Sequence, residues 1–128
     1  MTISSSDPVE RLVSGPVVEA HTDDTITRIA ELMIGDSIGL VVIRDQNPIA
    51  GVVSERDVVA AVAEGVDFES ERAADIMAME TVTIDASSTV AEARRLMADG
   101  GIRHLPVLKG DKVIGVVSIR DFLQVADD

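Results

Sequence analysis

The stretch GVVSERD at Gly51–Asp57 occurs again as GVVSIRD at Gly115–Asp121, and this repetition is the strongest indication of the fold. The two copies agree at six of seven positions and are offset by 64 residues, and the same offset aligns the rest of the chain without gaps. The sequence therefore predicts two copies of one unit, the first at 1–64 and the second at 65–128. Two copies are too few for a stacked solenoid, so we expect a closed pair with a pseudo-twofold axis.

Each copy predicts the same order of elements: strand, helix, strand, strand, helix. Apolar residues at helical spacing predict the first helix, and two apolar runs around a short polar loop predict an antiparallel hairpin. The predicted fold class is therefore α+β, built from two β-α-β-β-α repeats. The predicted strands are Val17–Val18, Ile38–Ile43 and Ile49–Val53 in the first copy and Thr81–Ile84, Ile102–Leu108 and Val113–Ser118 in the second, and the closing helices run from Glu55 to Glu64 and from Ile119 to Val125.

The charge and composition argue against several classes of protein. The 128 residues include 11 Lys and Arg against 23 Asp and Glu, a net charge of −12 that argues against a nucleic-acid partner. The chain has no cysteine, which excludes disulfides and thiolate metal sites, and its two histidines lie far apart. No apolar run approaches the roughly 20 residues needed to cross a bilayer, and the N-terminus lacks the features of a signal peptide. We therefore expect no metal site, no membrane insertion and a cytoplasmic location.

The basic residues are unevenly chosen, since lysine occurs only at Lys109 and Lys112. An acidic, lysine-poor surface is typical of a halophile protein that stays soluble at high salt, and simple compositional bias explains it equally well. Net charge bears on solubility and association rather than on fold.

The serine and aspartate of the repeated stretch have two physical interpretations. In the structural one, Ser54 and Ser118 cap the helices that follow, and Asp57 and Asp121 complete the caps, which stabilises each helix by about 1 kcal/mol. In the functional one, the helix start with its serine binds phosphate, and the carboxylate accepts hydrogen bonds from two ribose hydroxyls. The residues by themselves leave both interpretations open.

Three features together resemble a known family: the two Gly-Val-Val-Ser-x-x-Asp stretches, the segment IRHLPV at Ile102–Val107, and Asp75–Met77 before a Thr-Val-Thr strand. They are similar to a tandem pair of cystathionine β-synthase (CBS) domains, over nearly the whole chain from Val9 to Val125. The resemblance implies a stand-alone regulatory module that binds AMP, ADP, ATP or S-adenosylmethionine in clefts between the repeats and signals to a regulated protein. It implies no catalytic cofactor and leaves the role of magnesium open.

The resemblance also assigns ligand contacts to residues of this chain. Asp57 and Asp121 correspond to the carboxylate that binds ribose, and Ser54 and Ser118 to the hydroxyl that meets ribose or phosphate. Aliphatic walls would hold the adenine without aromatic stacking. The wall positions are Val18, Ile38, Gly39 and Val52 in the first copy and Val82, Ile102, Arg103 and Val116 in the second.

Cations near the repeated stretches are the expected phosphate contacts. Arg103 and His104 stand where the family often places such cations, whereas the first copy has Gly39 and Leu40 there. We therefore expect two unequal sites, with the more phosphorylated nucleotide beside Arg103 and His104. Many relatives carry Arg or His directly after the Asp, whereas here an arginine precedes it. The two arginines that are either phosphate contacts or surface ion pairs are Arg56 and Arg120.

The sequence argues against an enzyme. It contains no Walker loop and no His-Glu-x-x-His motif, and pseudosymmetry would keep Asp57 and Asp121 in separate clefts. The apolar faces of the closing helices exceed what one unit can bury, which predicts a homodimer. The alternative to the regulatory sensor is a ligand-free dimerisation scaffold, in which the Ser-x-x-Asp pairs only cap helices.

Overall fold

The computed structural model describes residues 2–13, 17–47, 49–79 and 82–126. The chain forms two compact units, and each has a three-stranded sheet with helices. Val18–Thr81 form the first-repeat unit, and Met1–Val17 together with Val82–Asp128 form the second-repeat unit. The predicted α+β class is confirmed.

The first-repeat unit has the predicted order of elements. They are β1 (Glu19–His21), α1 (Ile26–Asp36), β2 (Leu40–Arg44), β3 (Gly51–Ser54) and α2 (Glu55–Glu64), followed by a single turn of helix, α3 (Ala73–Ile76). The sheet has the order β1-β2-β3, with β2 parallel to β1 and antiparallel to β3. The predicted hairpin is therefore present as β2 and β3, and β2 is the buried central strand of the sheet.

The second-repeat unit repeats this topology. Its elements are a 3-10 helix at Val9–Leu12, β4 (Ile84–Asp85), α4 (Val90–Gly100), β5 (His104–Lys109), β6 (Lys112–Ser118) and a closing 3-10 helix at Ile119–Gln124. The sheet has the order β4-β5-β6, again with one parallel and one antiparallel pair. The longest helices of the described chain, α1 and α4, have 11 residues each, which is too few to cross a membrane.

The first strand of each repeat lies later in the chain than predicted. β1 begins at Glu19 and not at Val17, because Glu19–His21 is the segment that pairs with β2. β4 consists of Ile84–Asp85 instead of Thr81–Ile84, and Thr81 lies outside the described residues. The apolar residues used for the prediction lie just before each strand or at its start. The hydrogen-bond pairing with the neighbouring strand determines where the strand begins.

The closing element of the second repeat is a 3-10 helix, not a continuing helix to Val125 as in the prediction. It ends at Gln124, and Val125 is extended and forms a parallel bridge to Ile3. The amide of Ala126 then donates to the carbonyl of Ile3 at 2.9 Å. Ile3 of the N-terminal segment therefore pairs with Val125, and Val125 is extended instead of helical.

The core of the second-repeat unit includes residues from the start of the chain. Val9 and Leu12 are fully buried and pack in one cluster with Leu105 and Val117 of the hairpin. We call residues 2–13 the N-terminal strap. By sequence position this segment belongs to the first repeat.

The first-repeat unit is completed in the same way by residues 67–78, which we call the central strap. Ala73 is fully buried in the first-repeat core, and Ile76 packs against that core. At the 64-residue offset, Ala73 corresponds to Val9 and Ile76 to Leu12. Both straps therefore place equivalent side chains in equivalent cores.

The straps also supply acceptors for the first amides of α1 and α4, which have no partner inside their helices. In the second-repeat unit, the amide of Val90 donates to the carbonyl of Asp7 at 2.9 Å. In the first-repeat unit, the amide of Ile26 donates to the carbonyl of Glu71 at 3.2 Å. The second amide of each helix also donates to its strap, Thr27 to the carbonyl of Phe68 at 3.4 Å and Ala91 to the carbonyl of Ser5 at 2.9 Å. The third amide of each helix donates to a cap, the Oγ1 atom of Thr25 or of Thr89.

The straps are exchanged relative to the repeats. The N-terminal strap precedes the first repeat along the chain and packs in the second-repeat unit. The central strap lies after the repeat boundary and packs in the first-repeat unit. The compact units consequently divide at 17/18 and 81/82, whereas the sequence repeats divide at 64/65. Residues 67–72, which follow the repeat boundary, form the first part of the central strap.

Gly51 lies where the central strap crosses β3, and we expect Gly51→Ala to destabilise the protein by about 1–3 kcal/mol. A Cβ atom there would lie 2.5 Å from the carbonyl oxygen of Ala78, which is backbone and cannot rotate away. Gly35 is the matched control, because a Cβ atom at that helical position would meet nothing within 4 Å. Gly35→Ala should stabilise α1 by about 0.5–1 kcal/mol. Urea unfolding measures both free energies, and equal unfolding midpoints would contradict this packing.

Candidate functional site

The first Ser-x-x-Asp pair forms a reciprocal cap at the start of α2. The amide of Ser54 donates to Asp57 Oδ2 at 2.8 Å, and the Ser54 hydroxyl donates to the same oxygen at 3.0 Å. The amide of Asp57 donates in return to Ser54 Oγ at 3.2 Å. The structural interpretation of this pair is therefore correct.

The second pair has the same hydrogen bonds onto its carboxylate at the start of the closing 3-10 helix. The amide of Ser118 donates to Asp121 Oδ2 at 2.7 Å, and the Ser118 hydroxyl lies 3.3 Å from that oxygen. The two repeats thus orient their carboxylates alike, although the helices that follow differ.

Capping leaves room for the functional interpretation as well. Asp57 and Asp121 are half-buried, and every hydrogen bond that the described chain makes to their carboxylates ends on Oδ2. A carboxylate offers about four lone-pair positions on its two oxygens. The Oδ1 atoms are therefore available to hydroxyl donors of a ligand while the caps stay intact.

The sheet register brings further predicted site residues beside each cap. Leu40 pairs with Ser54, and His104 pairs with Ser118, so each pair of side chains shares one face of its sheet. Gly39 and Arg103, which precede Leu40 and His104, also lie at the helix starts. The carbonyl of Gly39 accepts from the amide of Glu55 at 3.1 Å, and the carbonyl of Arg103 accepts from the amide of Ile119 at 2.9 Å.

The wall residues of the first repeat lie around one strand position. Val52 pairs with Val42 on β2, and the carbonyl of Val18 accepts from the amide of Val42 at 3.1 Å. Ile38 and Val18 pack at the edge of the first-repeat core. The structure therefore brings Val18 and Val52 to the two sides of Val42.

The wall residues of the second repeat are less uniformly placed. Val116 pairs with Pro106 on β5, and Ile102 packs against the second-repeat core. Val82 is 43% exposed, more than any other apolar wall residue. It precedes β4 and makes no part of either core cluster of the described residues.

Arg56 and Arg120 are both exposed. No carboxylate of the described residues lies within 4.0 Å of either guanidinium group. Phosphate contact and a surface ion pair both stay predictions for these two arginines.

A groove of about 330 Å³ lies in the second-repeat unit between α4 and the closing 3-10 helix. Two predicted site residues, Ile102 and Arg103, line it, whereas Ser118 and Asp121 do not. The guanidinium of Arg94 stacks over the Phe122 ring at 5.4 Å from its centroid. The remaining lining residues are Met97, Ala98, Gly101 and Ile119.

This groove was not predicted from the sequence. The signal was present in the alignment of the repeats, because Ala30 and Val58 occupy the first-repeat positions of Arg94 and Phe122. These two substitutions between the repeats indicate that the groove lined by Arg94 and Phe122 is specific to the second repeat.

The two units also differ in charge. The first-repeat unit holds 14 acidic residues and four arginines, and the second-repeat unit holds nine acidic and seven basic residues. The net charges are therefore −10 and −2. An anionic ligand consequently meets much less repulsion in the second-repeat unit.

Two α+β repeats, each of which ends its hairpin in a capped Ser-x-x-Asp helix start, define a class of small tandem-repeat modules. A family model described as "CBS domain" matches residues 2–64 and 73–128. The chain belongs to the CBS domain family, and the resemblance stated for its repeated stretch is confirmed.

Relatives with known names support this membership. The CBS domain-containing protein CBSX3, mitochondrial, from Arabidopsis thaliana is 36% identical over 109 residues, which cover 80% of this chain and 53% of the relative. The chain thus spans about half the length of that relative. The structure of the CBS domain protein PAE2072 from Pyrobaculum aerophilum, complexed with AMP, is 30% identical with a TM-score of 0.83, covering 90% of this chain and 89% of that one. The hexameric CBS-CP12 protein from bloom-forming cyanobacteria is 28% identical with a TM-score of 0.82, covering 91% and 69%.

Proposed function

We propose that the chain is a regulatory module that binds an adenosine-containing ligand beside each Ser-x-x-Asp pair. The observation that carries the proposal is that the two oxygens of each carboxylate have different roles. Oδ2 accepts the hydrogen bonds of the cap, and Oδ1 can accept hydrogen bonds from a ligand. The AMP complex of a relative that is 30% identical over most of both chains supports the class of ligand. AMP, ADP, ATP and S-adenosylmethionine all carry the ribose and adenine that such a site needs.

In this proposal the protein supplies recognition and no chemistry. Asp57 and Asp121 accept hydrogen bonds from the ribose hydroxyls, and aliphatic side chains such as Val18 and Val52 hold the adenine. Arg56 and Arg120 are candidate phosphate contacts. Nothing in the proposal requires catalysis or a metal, and magnesium would enter only with the phosphates of the ligand.

The two sites are unequal in this proposal. The second repeat places Arg103 and His104 beside its cap, where the first repeat has Gly39 and Leu40. Charge-assisted hydrogen bonds to phosphate are about twice as strong as neutral ones. The second-repeat site therefore takes the more phosphorylated nucleotide, and the less acidic unit around it favours the same outcome.

Signalling follows from differential binding. A ligand shifts the population of two arrangements only if it binds one of them better. At a ligand concentration of about 100 times its Kd, binding stabilises the preferred state by about 2.7 kcal/mol. We propose that a homodimer passes this shift to a regulated protein. The cytoplasmic location and the salt-adapted surface stay predictions from the sequence.

A second candidate is a scaffold that binds no ligand. The observation in its favour is that both Ser-x-x-Asp carboxylates already accept hydrogen bonds from their serines without a ligand. In such a scaffold the exposed apolar residues of the closing helices, which include Val59, Val62 and Leu123, serve association alone.

Titration calorimetry with AMP, ATP and S-adenosylmethionine distinguishes the two candidates. We expect at least one of these ligands to bind and to raise the Tm in proportion to the logarithm of its concentration. GMP is the control for base recognition. The chain has no Trp and no Tyr, so a nucleotide that copurifies would dominate absorbance near 260 nm and can be released by heat. The absence of heat and of any Tm shift with all three ligands would favour the scaffold.

A further inference from the structure

The two proposed sites differ in one side chain beside the cap. His104 pairs with Ser118 on the second-repeat sheet, whereas Leu40 pairs with Ser54 on the first-repeat sheet. Directly opposite residues of an antiparallel pair lie on one face of the sheet, with Cβ atoms about 4.5–5.5 Å apart. The second cap therefore has a half-buried imidazole as its neighbour, and the first cap has an aliphatic side chain.

Arg103, the other cation expected at the second site, faces a different surface. It is exposed and lines the groove between α4 and the closing 3-10 helix. Neither Ser118 nor Asp121 lines that groove, so the groove and the cap are separate surfaces. His104 is therefore the cation whose place on the sheet ties it to the cap.

The imidazole points away from α4 and from the N-terminal strap. Leu105 and Val107 of β5 pack in one core cluster with Met97 of α4 and Val9 of the strap. Side chains alternate along a strand, so His104 lies on the opposite face of the sheet. The charged residues that this face excludes are those of the strap and of α4, namely Asp7, Glu10, Arg11, Glu92, Arg94, Arg95 and Asp99.

The charged groups on the side of His104 come from the closing 3-10 helix. This helix supplies Asp121, which forms the cap, and the exposed Arg120. Asp85 of β4 pairs with Leu108, four residues further along β5. The other ionisable residues of the hairpin strands form a pair at their far end, Lys109 and Lys112. Among the described residues around this cap, His104 is thus the group whose type changes its charge near neutral pH.

We propose that protonation of His104 makes the second-repeat site bind phosphorylated adenosine ligands more tightly at low pH, while the first-repeat site lacks this response. The inference rests on the proposed function and deepens it by assigning a pH response to one of the two sites. An imidazolium donates a charge-assisted hydrogen bond to a phosphate oxygen, and a neutral imidazole donates a weaker one.

The sign of the response follows from the charge of the ligand. A bound phosphate favours the charged imidazole, so binding takes up a proton from solvent, and affinity falls as rising pH removes that proton. S-adenosylmethionine has no phosphate and carries a positive sulfonium, so protonation of His104 does not strengthen its binding. Low pH therefore shifts the second-repeat site towards AMP, ADP and ATP.

Titration calorimetry with ATP at about pH 6 and about pH 8 tests the response. An Asp57→Asn background weakens the first-repeat site, so the heat reports the second. The Kd should rise about fivefold between the two pH values, and His104→Leu should lose this part of the rise. The phosphates of ATP titrate identically with both proteins, so their contribution cancels in the comparison. Leucine occupies the same register in the first repeat, where Leu40 is buried, so the variant is expected to fold.

His21→Asn is the matched control, because His21 is the other histidine of the chain and lies at the end of β1. This variant should keep the full pH response. Titrations at about pH 7 in buffers of different ionisation enthalpy count the protons taken up on binding. The count should be larger for the His21→Asn chain than for the His104→Leu chain. With S-adenosylmethionine, lowering the pH should not tighten binding in either.

The outcomes separate this inference from the proposed function. The absence of heat with ATP at both pH values would remove the nucleotide site itself. Binding of ATP with the same pH response in the native and His104→Leu chains would keep the site and overturn the role of His104. Loss of the response in His21→Asn, or an equal tightening of S-adenosylmethionine at low pH, would also overturn it.

Discussion

A chain that lacks residues 2–13 is expected to lose the folded second-repeat unit. The deletion removes Val9 and Leu12 from a core in which both are fully buried, and it removes the carbonyl acceptors of the first amides of α4. It also removes Ile3, which pairs with the end of the chain at Val125. A small core cannot lose two large side chains and its helix-start acceptors together, since the whole domain is stable by only about 5–15 kcal/mol.

Amide hydrogen exchange read by mass spectrometry measures this loss. Peptides from α4 and the β5–β6 hairpin should lose protection in the deleted chain, and a synthetic peptide of residues 2–13 added in excess should restore part of it. Protection equal to that of the native chain would show that the strap is dispensable.

Leu12→Ala is the milder variant for the same test. It should destabilise the protein by about 2–5 kcal/mol, the range for a buried leucine that leaves a cavity. Ile34→Ala is the matched control, because Ile34 is exposed and its truncation should change the free energy of unfolding of the monomer by less than about 0.5 kcal/mol. Similar losses in both variants would contradict the burial of the strap.

The second large effect concerns the two carboxylates. Asp57→Asn and Asp121→Asn are each expected to lower the affinity of their own site for an adenosine ligand by about ten- to a hundredfold. The amide oxygen of asparagine can still accept from the serine amide and so retains most of the cap. Its NH2 group cannot accept hydrogen bonds from the ribose hydroxyls, so the loss falls on ligand binding.

Thr25→Ala separates binding from folding. Thr25 caps α1 through a hydrogen bond of 3.1 Å from the Arg28 amide, and it belongs to no predicted ligand contact. This variant should lose about 1 kcal/mol of stability with an unchanged Kd. Calorimetry and thermal unfolding of all three variants give both quantities. If the asparagine variants lose stability as Thr25→Ala does and bind with native affinity, the carboxylates are only caps.

The same carboxylate can cap the helix and bind the ligand, because the two roles use different oxygens. The serine and the backbone fix Oδ2, and this holds the carboxylate in a single orientation before any ligand arrives. A side chain that is already ordered loses little conformational entropy on binding. A capping box is thus a suitable base for a ligand contact.

Much of the site was readable from the sequence. Ser54, Asp57 and their second-repeat counterparts are adjacent along the chain, and a strand followed by a helix places them locally. The neighbours Gly39–Leu40 and Arg103–His104 were assigned through the family resemblance, and the hairpin register places them beside the caps. The groove was not predicted, because it depends on how α4 packs against the closing 3-10 helix.

Local periodicity and matches at one offset are enough to establish the two repeats, the α+β order of their elements and the family. Which strap packs in which core depends instead on long-range contacts. At the 64-residue offset Val9 and Ala73 are equivalent, so pattern alone cannot tell whether either packs in its own repeat or in the other. That choice is made by burial between residues distant in the chain, as when Leu12 packs in the core that contains Leu105. Such contacts have no signature in local spacing.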